Sequence, residues 1–322
     1  MRRIVGYVLA LAVVAAVLAG CGSSSDPAQR LALAALNTPA PQAHTSATGS
    51  PEPRCGDVTA SLPPPAAMPS PGAMPAGSFM ARIQRRGYLI AGVDQNTLLF
   101  AYFNPIDGQL EGFEIDILRQ LTKAIFGNPN AIVFKALTTD ERIPAVENGS
   151  VDIVADAVTI TCSRRKEVDF STVYYDAGQK LLVPTSSPIQ TVDNLAGRRV
   201  CATIGSTSIQ TLAQIAPRAI RYPVRQRTDC LVALQEGLVD AITSDDSILL
   251  GFKAQDPYTQ IVGSSFAHEP YGMAIDKTHP DFVRFVNGVL AQMRTDGAWR
   301  AIYSHWLGKF SRTPAPPTAH YL

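Results

Sequence analysis

Two short apolar runs are each followed at once by residues that can carry charge or form hydrogen bonds. Val151-Asp-Ile-Val154 leads into Asp156, Ala157 and Thr159, and Val239-Asp-Ala-Ile242 leads into Thr243, Ser244, Asp245 and Asp246. Runs of this kind read as buried strands, and in an open α/β sheet ligands sit just beyond the carboxyl ends of the strands. Each run is preceded by a similar segment, Ala145-Val-Glu-Asn-Gly-Ser150 and Ala233-Leu-Gln-Glu-Gly-Leu238, in which Gly suits the left-handed cap of a helix. The echo, ~90 residues apart, implies two lobes of similar build with polar groups from both facing one cleft. Covalent chemistry has no support: no Ser/His/Asp, Cys/His or paired catalytic carboxylate set is visible, and no Gly-rich phosphate loop. His44, His268, His279, His305 and His320 are scattered, so neither a metal nor a cofactor is expected.

The elements that would position these groups alternate in type. Strand candidates are 88–93, 131–134, 151–154, 199–203 and 239–242. Phe113, Ile117, Leu121 and Ile125 lie four apart on one helix face, and Phe282, Phe285, Val289, Leu290 and Met293 form another. Strand, helix, strand alternation predicts an α/β fold with largely parallel sheets.

The N-terminus sets the compartment. Arg2 and Arg3 precede an apolar stretch over 4–18 that is too short to span a bilayer comfortably, followed by Leu18-Ala-Gly-Cys21. This resembles a secretory leader ending in a bacterial lipobox, which implies removal of 1–20, lipid on Cys21 and attachment to the outer face of the cell membrane. Residues 21–77, rich in Pro, Ala, Ser and Gly, read as a flexible stalk, and 311–322 as a disordered tail. The formal net charge of +1 falls to about −1 without Arg2 and Arg3, which argues against a nucleic-acid binder. Cys55, Cys162, Cys201 and Cys230 form an even set in an oxidising compartment. Of the three possible pairings, nearness in sequence favours Cys201 with Cys230, which leaves Cys55 with Cys162.

Several motifs in order resemble the amino-acid solute-binding proteins of ABC transporters (bacterial solute-binding protein family 3, glutamine/glutamate-binding type). They are Gly112-Phe-Glu-Ile-Asp-Ile117, with Glu114 where Asp is usual; the stretch from Val151 to Ser171; Gly205-Ser-Thr-Ser208; Val239 to Asp245; and Asp296-Gly-Ala-Trp-Arg-Ala-Ile-Tyr-Ser-His-Trp306. The resemblance implies a type II periplasmic-binding-protein-like fold: two Rossmann-like lobes, 78–185 with 270–310 and 186–269, closing on a ligand about hinges near 184–188 and 267–271. It implies a monomer that binds a free polar amino acid (glutamate/aspartate or glutamine/asparagine) and delivers it to a permease in the cytoplasmic membrane. Arg164, the Thr159 hydroxyl and the Thr207 N–H would hold the ligand carboxylate, Asp245 and the Ala157 carbonyl its ammonium. Thr139 and Arg142 join the ligand-binding set, Arg142 pairing an acidic side chain, whereas Asp94 would accept from an amide. The alternatives are an amino-acid sensor subunit for a membrane signalling protein and a cyclohexadienyl-dehydratase-like enzyme, for which Asp94 would be the acid or base.

Overall fold

The computed structural model describes residues 53–322; Cys21 and the leader lie outside them. In chain order come α1 (Phe79–Arg86), β1 (Leu89–Val93), a small antiparallel sheet of β2 (Asn96–Thr97), β3 (Ala101–Asn104) and β4 (Gln109–Glu111), then α2 (Phe113–Phe126) and β5 (Ile132–Ala136). Next are α3 (Arg142–Glu147), β6 (Ile153–Val154), α4 (Arg164–Glu167), β7 (Asp169–Phe170), β8 (Tyr175–Pro184), β9 (Arg199–Thr203), α5 (Thr207–Ile215) and β10 (Ile220–Val224). The chain continues through α6 (Arg227–Gln235), β11 (Ala241–Asp245), α7 (Asp246–Gln255), β12 (Thr259–Tyr271), β13 (Ala274–Ile275), α8 (Pro280–Thr295) and α9 (Ala298–Leu307).

Two five-stranded sheets organise these elements, ordered β5-β1-β6-β13-β7 and β10-β9-β11-β8-β12. The α2 face that the spacing picks out, Phe113, Ile117, Leu121 and Ile125, is buried. Gly112 opens that helix at φ 136°, and a Cβ there would fall 2.1 Å from the Phe100 carbonyl oxygen, so no larger residue fits.

The sheets are mixed, not largely parallel. β13 runs antiparallel to β6 and β7, and β8 runs antiparallel to both β11 and β12. β8 and β12 are long, and their prolines concealed them: Pro184 ends β8, and Pro270 is tolerated because β12 is an edge strand. The chain passes between the sheets at 171–174 and 272–273. The hinge expected near 184–188 therefore falls at the far end of β8, and the second sheet begins at Tyr175, earlier than the expected boundary at 186.

The described part of the expected stalk, from 53 onward, is held along the first sheet's side of the molecule. Cys55 is joined to Cys162. The Ser61 hydroxyl donates to the Phe170 carbonyl (2.6 Å), and the Asn287 amide of α8 donates to Ser61 Oγ (2.8 Å) and the Leu62 carbonyl (2.7 Å). The tail expected to be disordered pairs with this strap: Ser61 N–H donates to the His320 carbonyl (3.0 Å), Leu322 N–H to the Ser61 carbonyl (2.9 Å), and Arg294 Nε to the Pro317 carbonyl (2.9 Å). Neither segment buries a core of its own, but each borrows partners from α8 and from the other. Composition alone could not reveal those partners.

Candidate functional site

A narrow cavity, partly open to solvent, lies between the two sheets. From the first side it is walled by Thr139, Arg142, Ala157 and Thr159; from the second, by Thr207, Arg227 and Asp245 among others. Arg142, at the start of α3, is buried, and backbone carbonyls aim its guanidinium: Nε donates to Thr139 O (2.8 Å) and Nη1 to Asp156 O (2.8 Å) and Ala157 O (3.1 Å). Burial and the neighbouring Arg164 charge push Arg142 down to about 9. Ala157 holds a left-handed conformation, φ 46°, unusual for a residue with a side chain. It is kept there by Glu114, whose carboxylate accepts from Ala157 N–H (2.7 Å) and from the Tyr174 hydroxyl. Burial and the nearby Asp156 raise Glu114 to about 7, partly opposed by those two hydrogen bonds.

The second guanidinium comes from α6 and crosses the cleft. Arg227 Nη1 donates to Asp94 Oδ2 (2.7 Å) and Asp156 Oδ1 (2.6 Å), and Nη2 to Asp156 O (3.2 Å). All three side chains are buried. Burial alone would lower Arg227, but Asp156 and Asp94 overcome it and hold the charge firmly. Asp94 also accepts from Gln95 N–H (2.6 Å), Asn96 N–H (2.9 Å) and the Thr97 hydroxyl (2.5 Å). A carboxylate has about four acceptor positions, so Asp94 is saturated by the chain itself.

The acidic wall is built on β11 and β12. Asp245, the last residue of β11, accepts from the Tyr271 hydroxyl (2.5 Å), while Tyr271 and the Ser247 hydroxyl lie 2.8 Å apart. Burial first, and then repulsion from Glu269, raise Asp245 to about 7. Glu269 accepts from the Thr159 hydroxyl (2.5 Å) and the Thr207 hydroxyl (2.8 Å), one from each side of the cleft. Burial raises Glu269, opposed by those hydroxyls and by Arg164. Arg164 itself spans the two walls, donating to Thr159 O (2.7 Å) and Gly205 O (3.1 Å). Gly205, at φ 77°, lets the second lobe approach closely: a Cβ there would lie 2.9 Å from Asp140 Cα.

Two α/β sheets meeting at a charged, buried cleft are the architecture of a solute receptor, and the family model of bacterial extracellular solute-binding proteins, family 3, matches residues 89–309. The chain belongs to that family. The glutamine-binding protein of an ABC transporter in Bacillus subtilis is 39% identical over 71% of this chain and 84% of its own. A glutamate/aspartate import solute-binding protein of Salmonella typhimurium is 26% identical over 75% of this chain and 82% of its own. An ancestral arginine-binding protein, solved bound to glutamine, superposes with a TM-score of 0.65 at 32% identity, covering 69% of this chain and 99% of that one.

Of the residues singled out in sequence for this family site, Thr139, Arg142, Ala157, Thr159, Thr207 and Asp245 wall the cavity together. Asp94 and Arg164 do not wall it. Asp94, expected to receive a ligand amide, is spent on Arg227, and Arg164 bonds backbone carbonyls at the junction of the walls. Sequence reasoning missed the roles of Arg227, Asp156 and Glu269. Arg227 carried a signal: a cation in the first turn of a helix opposes the helix dipole, so something else must stabilise it there. Glu269 carried none, because its partners are 110 and 62 residues away. The structure joins Cys201 to Cys230 and Cys55 to Cys162. Among the described residues there is no acidic, His or Cys cluster able to hold a metal and no helix long and apolar enough to cross a membrane.

Proposed function

We propose that this chain is the extracytoplasmic receptor of an ABC importer, anchored through lipid on Cys21, and that it captures a polar amino acid. The observation that carries this reading is one cavity walled from both sides by opposite charges: buried Arg142 and Arg227 with Asp245. A zwitterion matches that arrangement, because each charged end meets a buried group of opposite charge. The Thr207 N–H at the start of α5 would take the α-carboxylate, joined by Arg164 once its guanidinium turns from the Thr159 and Gly205 carbonyls into the cavity, and Asp245 with the Ala157 carbonyl would take the α-ammonium. Arg142 and Arg227 then favour a side chain that accepts hydrogen bonds, the carboxylate of glutamate or aspartate or the amide oxygen of glutamine or asparagine. Relatives named for glutamine and for glutamate/aspartate support that pair of choices.

Capture would proceed by rotation of the lobes about the passages at 171–174 and 272–273, the hinge closure of periplasmic binding proteins. The closed form would present both lobes to the permease. Calorimetric titration of the exported chain against the common amino acids tests the reading, with tight binding of at least one acidic or amide amino acid expected; no heat with any of them removes it. Glutamate should lose more affinity than glutamine on Arg142→Ala. A Cys21→Ser chain that stays with membranes as firmly as the wild type would overturn the lipid anchor.

A further inference from the structure

The strap before α1 and the tail after α9 lie outside the matched residues 89–309, yet both are fastened to the first passage between the sheets. Ser61 Oγ donates to the Phe170 carbonyl (2.6 Å). Asn287 of α8 extends the attachment, its Oδ1 accepting from Thr172 N–H (2.7 Å) while its Nδ2 donates to Ser61 Oγ (2.8 Å). Arg294 stands about two turns further along α8, on the same side of the helix. Its Nη2 donates to Thr172 Oγ1 (3.0 Å) and the Val173 carbonyl (2.7 Å), and its Nε donates to the Pro317 carbonyl of the tail (2.9 Å). Nη1 is buried without a hydrogen-bond partner in the protein, a cost that the other two nitrogens must offset. Strap and tail then close on each other, Ser61 N–H donating to the His320 carbonyl (3.0 Å) and Leu322 N–H to the Ser61 carbonyl (2.9 Å). Ser171 carries the restraint to the second passage: its N–H donates to the Met273 carbonyl (3.0 Å), and its Oγ accepts from Met273 N–H (2.9 Å).

A hinge works by changing the dihedrals of a few residues. The bonds to Thr172 and Val173 hold those dihedrals at the values taken when the lobes meet, for in this arrangement Arg227 reaches across the cleft to Asp94 (2.7 Å) and Asp156 (2.6 Å). We propose that Arg294 is a positioning residue for capture: it buckles the tail, and through it the strap, onto the first passage in the conformation of the closed lobes. Ligand and buckle then strengthen each other. The proposal rests on closure of the lobes around an amino acid and deepens that reading, because it gives the strap and the tail a part in the hinge. Such coupling is reciprocal: the factor by which the buckle tightens the ligand is the factor by which the ligand tightens the buckle. A brace of the first lobe alone would have no need of the passage. Arg294 and Asn287 instead place their bonds on 172 and 173, the residues that turn when the lobes part.

The test is hydrogen exchange on the full chain, followed by mass spectrometry in peptides holding the Ser61 and Leu322 amides. The ligand is whichever of L-glutamine, L-glutamate, L-asparagine and L-aspartate binds most tightly. At saturation it should slow exchange of both amides at least about threefold in the wild type. In Arg294→Met the same ligand should alter their exchange less than about 1.5-fold, and affinity should fall roughly fivefold, the lower end of such couplings. The loss should appear as faster dissociation, with the association rate within about twofold of the wild type, since the cavity walls are untouched. Circular dichroism and the thermal midpoint establish that the variant is folded, and the wild-type exchange decides the matter by itself if it is not. Exchange at Ser61 and Leu322 that ignores a bound ligand, or a folded Arg294→Met chain that binds as tightly as the wild type, would overturn the proposal and leave the amino-acid reading intact. A wild-type chain that binds none of the four overturns that reading, and this proposal with it.

Discussion

The cleft and the strap are held by opposite means. The cleft concentrates buried charge: Arg142 and Arg227 stand among Asp94, Asp156, Asp245, Glu269 and Glu114. The strap, from 53 to the start of α1, together with the tail, is held by the Cys55–Cys162 disulfide, by hydrogen bonds to Asn287, by backbone pairing between Ser61 and Tyr321, and by Arg165, Arg284 and Arg294 donating to the carbonyls of Val58, Pro63 and Pro317. Buried ions are costly when one partner is lost, whereas a disulfide acts mainly by limiting the unfolded chain. The cleft thus depends on mutual pairing of buried ions, whereas the strap is held by a disulfide and by hydrogen bonds to backbone carbonyls, with no buried ion pair among its described residues. Ser61 and Asn287 also bond Phe170 and Thr172, so the strap secures the first lobe where the chain leaves for the second.

The largest effect should come from splitting the ion cluster. Arg227→Met leaves Asp94 and Asp156 buried without their cation and should cost about 3–5 kcal/mol in urea unfolding. A loss below about 1 kcal/mol would mean that the carboxylates are rehydrated and that the contrast between the regions is weaker than drawn.

Breaking the strap should cost somewhat less. Cys55→Ser/Cys162→Ser opens a loop whose ends are 107 residues apart and should lower stability by about 2–4 kcal/mol, with amino-acid affinity changed less than about threefold. A large fall in affinity would show that the strap and the cleft are coupled through the segment from Cys162 to Arg164.

Acidity separates the regions further. Glu114 rises in the folded state from 4.5 to about 7, so its contribution is fully present below pH 4.5 and is lost as pH rises through about 7. Its ionisation costs up to about 3 kcal/mol. Glu114→Gln should therefore flatten the stability profile between pH 5 and pH 8 relative to the wild type, and parallel profiles would show that Glu114 does not titrate in that window.

The smallest effect belongs to the exposed pair His320–Asp57, 2.9 Å apart at the tail. His320→Ala should shift stability by about 0.5 kcal/mol or less, since exposed pairs are screened by solvent. A larger shift would mean that the tail carries more of the strap's attachment than its backbone bonds suggest.

Much of this was legible in the sequence. The apolar runs gave β1 and β9 to within a residue and located β11 two to three residues early, the four-residue spacing gave the buried face of α2, and the polar residues after the runs at Val151 and Val239 pointed to both walls of the cleft. These are local signals, carried by periodicity and by residue type at strand ends. The prolines of β8 and β12 misled, because a proline reads as a break unless the strand's place at an edge or an end is known.

What the sequence by itself determined is which segments form strands and helices, and that acids and hydroxyls gather at the strand ends. Only the tertiary structure decided which charges meet. Asp94 and Arg227 are 133 residues apart, and their pairing follows from the approach of two lobes and from no local pattern. The same holds for Glu269. A hydroxyl's direction is set by whichever acceptor the fold brings to it, and for Thr159 that acceptor arrives on a strand 110 residues later.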